Sequence, residues 1–257
     1  MPFEAELTDI KDFRTIVDAI SQMISDAVFV VSQTELSLRA MDASHAAMID
    51  LQMLKEAFDS YECDNEFELN VNLENLRRVL GRVQKEDRTL FKYDETQNNL
   101  HIEFQGTAGR KFTLPLRTTM DSSSLPAPDL PLEAEIDFEA GFLKEVIADM
   151  GIFSESVQIS ADENKVNFST TGTDQHSVEI VVENKEGSVA RAFNIGDPSS
   201  ASYGLEYLRS IARIDGIADS LKIELATAKP LRLTFMIGEN TTLRYLLAPY
   251  EEPEDDY

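Results

Sequence analysis

Cysteine is nearly missing from this chain of 257 residues, where Cys63 stands alone. One thiol excludes a disulfide framework and a thiolate metal site, and it suits a reducing compartment. A basic start followed by an apolar block is missing too, since the chain opens MPFEAELTDIKDF. No run approaches the roughly eighteen apolar residues of a membrane span. An intracellular protein with no membrane association is expected, and the glycosylation sequons at Asn167 and Asn240 then match by chance. Histidine is scarce: His45, His101 and His176 are scattered and suggest no metal cluster. GTAGRK (106–111) has two glycines and a pair of bases but not the spacing or the Ser/Thr of a P-loop, and reads as a hairpin turn. No nucleophile has an evident partner. The chain is therefore not read as an enzyme, and no catalytic residue, metal or cofactor is expected.

The largest deficit is positive charge, with 23 Lys and Arg against 47 acids and a formal net charge of −24. Such a chain repels nucleic acid and anionic membranes unless its few bases are gathered in one place. What is present in plenty is apolar content, 42%, enough for real cores in one large or two ordinary domains.

Apolar spacing predicts four helices. DIKDFRTIVDAISQM (9–23) puts Ile10, Phe13, Val17 and Ile20 on one face, with Asp9 placed to cap. NLENLRRVLGRV (72–83) does the same with Leu73, Leu76, Val79 and Leu80 behind a cap at Asn72. FEAGFLKEVIADM (138–150) and YGLEYLRSIARI (203–214) follow less cleanly. Nearly everything else alternates with period two, as in AVFVVS, ELSLRAM, NLHIEFQ, SVEIVVE and LRLTFMI, which indicates antiparallel sheet.

The order of elements repeats. LENLR at Leu73 recurs as LEYLR at Leu205, 132 positions on; NLHIEF and PLRLTF match at 131, and ELSLRA and KVNFST at 130. A nearly constant offset of half the chain predicts duplication, hence an α+β fold of two similar domains, each of antiparallel sheet with two helices. The expected division is 1–117, a Ser- and Pro-rich linker at 118–133, and 134–257 with a charged, disordered tail.

The four helical segments hold 8 of the 23 bases but only 8 of the 47 acids, so the rest of the chain carries the whole −24. Those bases are Lys11, Arg14, Arg77, Arg78, Arg82, Lys144, Arg209 and Arg213. Two readings stand: ordinary solvated helix faces, or a surface that tolerates a polyanion on a body that rejects one.

LSLRAMDASHAAMIDLQM (36–53), FELNVNLENLRRVL (67–80) and the terminal YLLAPYEEPEDD (245–256) together resemble the proliferating cell nuclear antigen type of DNA sliding clamp, over essentially the full chain. The resemblance implies a closed ring of three two-domain subunits, sheets outside and helices lining a hole around double-stranded DNA. The ring is a non-catalytic processivity factor in replication and repair. It tethers DNA polymerase, flap nuclease and DNA ligase, and a separate clamp loader opens it. Contact with DNA is topological and sequence-independent, made by the eight helical bases with Arg110 and Lys111 at a nearby turn. Ser21 and Gly81 stand where the family often has a base, and Glu206 where one is expected.

Clients of the family insert a short peptide with an aliphatic and two aromatic anchors. The pocket walls implied here are Met41, His45 and Ala46, then Leu125, Pro126, Pro128 and Leu130 of the linker, then Ala248, Pro249 and Tyr250, with Pro230 at the rim. Pro249 stops the last strand, which is expected to leave the amide and carbonyl groups beside it open to a client backbone. Ring closure is implied at two edges. RKFTLPLR offers Arg110, Lys111, Phe112, Leu114 and Arg117, with Pro115 tolerable only on an edge strand. SVEIVVENKE offers Ser177, Glu179, Ile180, Val182, Glu183 and Glu186. Opposite charges on one chain favour a homotrimer, through a heterologous contact that closes. The alternative is an acidic protein-binding adaptor or DNA mimic that never encircles DNA.

Overall fold

The computed structural model describes residues 2–118, 126, 128, 130–172 and 176–250. Its elements run through one order twice. The first pass is β1 (Phe3–Leu7), α1 (Lys11–Ile20), β2 (Asp26–Val31), β3 (Glu35–Met41), β4 (Ala47–Leu54), β5 (Ser60–Cys63), β6 (Phe67–Asn72), α2 (Leu73–Leu80), β7 (Arg88–Asp94), β8 (Asn99–Gln105) and β9 (Arg110–Pro115). The second is β10 (Ala134–Glu139), α3 (Phe142–Met150), β11 (Ser156–Ala161), β12 (Lys165–Thr171), β13 (Ser177–Glu183), β14 (Ala190–Ile195), β15 (Ser199–Gly204), α4 (Leu205–Ile211), β16 (Ser220–Leu225), β17 (Leu231–Ile237) and β18 (Thr241–Leu247).

Pairing repeats as well as order. β1 lies between β5 and β7, as β10 lies between β14 and β16, and β2 lies between β6 and β3, as β11 lies between β15 and β12. All these pairs are antiparallel, so the duplication expected from the offsets is a duplication of topology. Contacts divide the chain into two compact units: residues 1–43, 49–126 and 237–243, and residues 44–48, 127–236 and 244–257. The main division, between Pro126 and Ala127, falls within the expected linker, and each unit borrows a short segment from the other half.

The repeated helix motif shows what the duplication preserves. Leu73 and Leu76 of α2 are buried in the first unit, as Leu205 and Leu208 of α4 are in the second, while Arg77 and Arg209 stay exposed. Aromatic packing completes each core. Phe13 of α1 meets Phe91 edge-on with centroids 5.6 Å apart, and Phe138 of β10 stacks on Phe142 of α3 at 4.7 Å.

All four helices are shorter than their apolar spacing suggests. Phe138 belongs to β10 and Tyr203 to β15, both fully buried inward residues of strands that run directly toward a helix. An apolar residue on the last inward position of a strand also fits the helical period, so spacing alone misplaces the boundary. Asn72 caps α2 as expected, accepting from the Asn75 amide at 3.0 Å. Asp9 is not the N-cap of α1, which is Ile10, but its Oδ1 accepts from the Lys11 amide at 2.9 Å. Five strands escape the alternation reading: β1, β5, β10, β14 and β15. SSASYG of β15 seats Ser199 and Ala201 inward, which lowers the apolar contrast that period-two reading needs, whereas FEAEL of β1 alternates cleanly, with Phe3, Ala5 and Leu7 buried, and is only short.

Candidate nucleic-acid and partner interfaces

In the first unit α1 and α2 flank a cleft of about 810 Å³ lined by Lys11, Arg14, Arg77 and Lys85 among others. Burial of Phe13, Ile16, Val17 and Ile20 on one side of α1 turns Lys11 and Arg14 outward; Leu73, Leu76 and Leu80 do the same for Arg77 and Arg78 on α2. The cations differ in freedom. Arg77 meets Asp18 at 3.6 Å, and Arg78 meets Glu74 one turn earlier at 2.5 Å. Arg78–Glu74 is exposed and Arg77–Asp18 partly so, and such pairs soften the field more than they stabilise the fold. Among the described residues Lys11, Arg14, Arg82 and Lys85 make no ion pair. Lys85, outside the helical period, is a lining base the sequence reading missed; only its place just beyond a basic helix could have pointed to it.

In the second unit Lys144, Arg209 and Arg213 are exposed on or just beyond α3 and α4. Arg209 leans on the end of α3, its Nη2 3.5 Å from the Gly151 carbonyl oxygen. A Cβ at Gly151 would lie 2.5 Å from that nitrogen, so glycine makes room for the arginine. The start of α3 rests on a buried carboxylate that the sequence did not betray. Asp215, 1% exposed, accepts from the Lys144 amide at 3.1 Å. Burial raises its pKa, while hydrogen bonds from the Lys144, Gly141 and Leu143 amides pull the other way.

Arg110 and Lys111 are both paired within the chain, Arg110 in a half-buried setting and Lys111 at the surface. Arg110 is half-buried: its guanidinium bonds the buried Asp87 carboxylate, donates to the Arg82 carbonyl at 2.8 Å and lies over the Phe104 ring at 5.1 Å. It fastens β9 to the end of α2. Gly106 is required there, since a Cβ would collide with Asp87. Lys111 pairs with Glu103 across the sheet at 3.4 Å, and Arg117 with Asp26 at 2.7 Å.

β9 and β13 are each the last strand of their sheets, β9 beside β8 and β13 beside β12, so each has an open edge. Phe112 and Leu114 are half-buried on β9, and Pro115 ends the strand. On β13 Ser177 and Glu179 are exposed and Ile180 half-buried, but the Val182 side chain faces the core at 6% exposure. Only the Val182 backbone is thus open to a neighbour. Much of the expected charge match is already spent within the chain. Beside the three paired bases, Glu183 meets Lys185 at 2.6 Å, which holds its carboxyl below the ordinary range, and Glu179 accepts from Asn167 at 3.0 Å. The sequence reading also missed an apolar patch. Ile152 and Phe153, just past α3, are 65% and 44% exposed, and Phe153 stacks at 5.0 Å on His176, which immediately precedes β13.

Of the expected client wall, Leu125 lies outside the described residues, as do the acidic residues after Tyr250. Met41, the last residue of β3, is half-buried in the first unit; Pro126 and Pro128 are exposed and Leu130 half-buried. In the second unit the structure brings His45 and Ala46 together with the chain end. The Ala248 amide donates to the Ala46 carbonyl at 2.8 Å, and the Tyr250 amide to the Ser202 carbonyl at 2.7 Å. The expectation that Pro249 leaves neighbouring amides open is therefore wrong: both are bonded, because residues 248–250 run beside Ala46 and the end of β15. Tyr250 keeps an exposed ring and Pro230 is half-buried.

Two repeats of one sheet topology, each with two short base-bearing helices, open edges on β9 and β13 and a turn pinned to the chain end, define a duplicated antiparallel clamp-type fold. Sequence models of the proliferating cell nuclear antigen N-terminal and C-terminal domains match residues 2–122 and 127–250. The chain belongs to the proliferating cell nuclear antigen family. It is 32% identical over 253 residues to a protein of Pyrococcus horikoshii named DNA polymerase sliding clamp, covering 98% of this chain and 100% of that one. It is 29% identical over 241 residues to the protein of the same name from Methanococcus vannielii, covering 93% and 95%. The crystal structure of the Thermococcus kodakaraensis antigen superposes with a TM-score of 0.87 at 24% identity, over 96% of this chain and all of that one.

Proposed function

We propose that this chain is a DNA sliding clamp: copies close into a ring around duplex DNA, and polymerase and repair enzymes are held to the template by docking on it. The observation that carries the reading is the doubled clamp fold together with full-length similarity to proteins named DNA polymerase sliding clamp. The ring catalyses nothing. Its inner contacts are with phosphates, which carry no sequence information and so permit sliding. Lys11, Arg14, Arg77, Arg78, Arg82, Lys144, Arg209 and Arg213 supply them. Lys85 joins this set, and Arg110 leaves it because Asp87 holds it. The α1/α2 cleft carries the bases Lys11, Arg14, Arg77 and Lys85 beside the acids Asp9, Asp18 and Asp87, and the full-length relatives named DNA polymerase sliding clamp give the adaptor reading no support.

Three copies join through β9 of one and β13 of the next. Since the ionic groups there are largely paired within each chain, the exposed Ile152 and Phe153 beside β13 provide apolar area for the joint. Clients such as polymerase, clamp loader, flap nuclease and ligase bring a short aromatic-anchored peptide to the wall formed by His45, Ala46, Pro230, Ala248, Pro249 and Tyr250.

The test is primer extension by a cognate polymerase on a linear template, without a loader, with the template ends open or blocked by bound protein. A ring threads only over open ends, so stimulation with open ends and none with blocked ends is the expected result. Equal stimulation on both templates would mean that nothing encircles the DNA.

A further inference from the structure

His45 has φ of +60°, a left-handed conformation that a side chain bearing a Cβ seldom adopts. It lies in the turn between β3 and β4, is exposed, and gains no core packing that would hold it there. Its two neighbours are tethered instead. On one side the Ser44 hydroxyl hydrogen-bonds the Tyr207 hydroxyl at 2.9 Å; on the other the Ala46 carbonyl accepts from the Ala248 amide. Tyr207 is itself fixed. It sits in the first turn of α4, half-buried, and its carbonyl accepts from the hydroxyl of the fully buried Tyr245 at 3.3 Å.

The end of β15, which leads directly into α4, holds the other piece of the wall. The Ser202 carbonyl takes the Tyr250 amide, and the Tyr250 ring passes so near Gly204 that a Cβ there would stand 3.9 Å from its Cδ2. Residues 202–207 thus anchor both 44–46 and 248–250. The backbone bonds belong to the fold itself, whereas the Ser44–Tyr207 bond joins two side chains 163 positions apart and can be removed without altering either backbone.

We propose that Tyr207 and Ser44 are positioning residues for client binding: their hydroxyl bridge holds the His45 turn in the shape that a docking peptide meets. The proposal rests on the client reading above. Neither residue needs to touch the peptide. The bridge acts by keeping the turn from relaxing to a right-handed conformation that carries His45 away from the wall.

A fluorescent peptide with one aliphatic and two adjacent aromatic residues is titrated against the full chain and its variants, with melting temperatures measured alongside. Tyr207→Phe and Ser44→Ala are each expected to weaken binding about two- to tenfold, the range for one hydrogen bond. The double variant should lose no more than either single one, Ser44→Thr should retain affinity, and melting temperatures should stay unchanged. The amide resonances of His45 and Ala46 should move in both single variants without peptide. Undiminished affinity in the single variants, or losses that add in the double, would overturn the proposal. A wild-type chain that fails to bind the peptide at all would overturn the client reading and this proposal with it.

Discussion

Two buried carboxylates, Asp87 and Asp215, illustrate how one residue's cost is met by a different device in each unit. Asp87 is neutralised by Arg110 and also accepts from the Gln84 amide at 2.7 Å. Arg110→Ala would strand the carboxylate, costing about 3 kcal/mol, whereas Asp87→Ala combined with Arg110→Ala should cost less than the two singles together. Thermal denaturation of the three variants measures this. Asp215 has no ion-pair partner in hydrogen-bond reach among the described residues; its burial raises its pKa, and the Lys144, Gly141 and Leu143 amides with the nearby Lys144 charge offset that only in part. A folded-state pKa above the unfolded value of about 3.9 means that the native state holds the proton more tightly, so stability declines as pH rises through that raised pKa. Asp215→Asn keeps an acceptor for the amides and removes the charge. Its melting temperature relative to wild type should therefore climb as pH rises above about 4, while Asp215→Ala, which also lacks the acceptor, should follow the same trend about 1 kcal/mol below Asp215→Asn.

At the scale of elements, helix faces and strand edges take separate duties. The helices are short, ten, eight, nine and seven residues, and bury one apolar face each, which leaves only a few outward positions for charge. Lys11→Ala with Arg14→Ala removes two unpaired cations from α1. Duplex affinity should fall, and the slope of log affinity against log salt should become shallower by roughly 2, without a change in stability. Titration of a short duplex at several salt concentrations tests it. At the edges, open backbone on β9 and β13 needs area beside it to hold a joint, and Ile152 is the most exposed large apolar side chain among the described residues. Ile152→Asp should shift the mass in solution from trimer toward monomer while each monomer keeps its melting temperature. A trimer that persists in sedimentation would remove this patch from the joint. Helix α4 carries a further duty beside charge, since its outward face bears Arg209 while Tyr207 in its first turn bonds Ser44.

For the molecule as a whole, a charge of −24 and a DNA-facing role are compatible because charge is partitioned, the helical segments being neutral in sum. Salt acts on the two parts with opposite sign. Raising it screens self-repulsion of the acidic body and should increase the melting temperature, while the same increase releases DNA from the helices. Following both quantities across one salt series checks this; a parallel fall in stability would show that paired surface charges outweigh the repulsion.

Much of this architecture was legible in order and period. Helix faces, alternating strands, the doubled unit and the gathering of bases all depend on residues close together in the chain, where spacing translates directly into a side of a helix or sheet. The sequence by itself determined that there are two copies of one plan and which faces are apolar. Only the tertiary structure decided which charges are free. Arg110 and Lys11 are alike as letters, yet one is bound to Asp87, 23 positions away, and the other faces an open cleft. The same holds for the amides of Ala248 and Tyr250, whose acceptors at Ala46 and Ser202 are remote in the chain. A local pattern needs only neighbours in sequence. The choice of a polar partner depends on which distant groups the finished packing brings within hydrogen-bond reach, and no spacing rule encodes that.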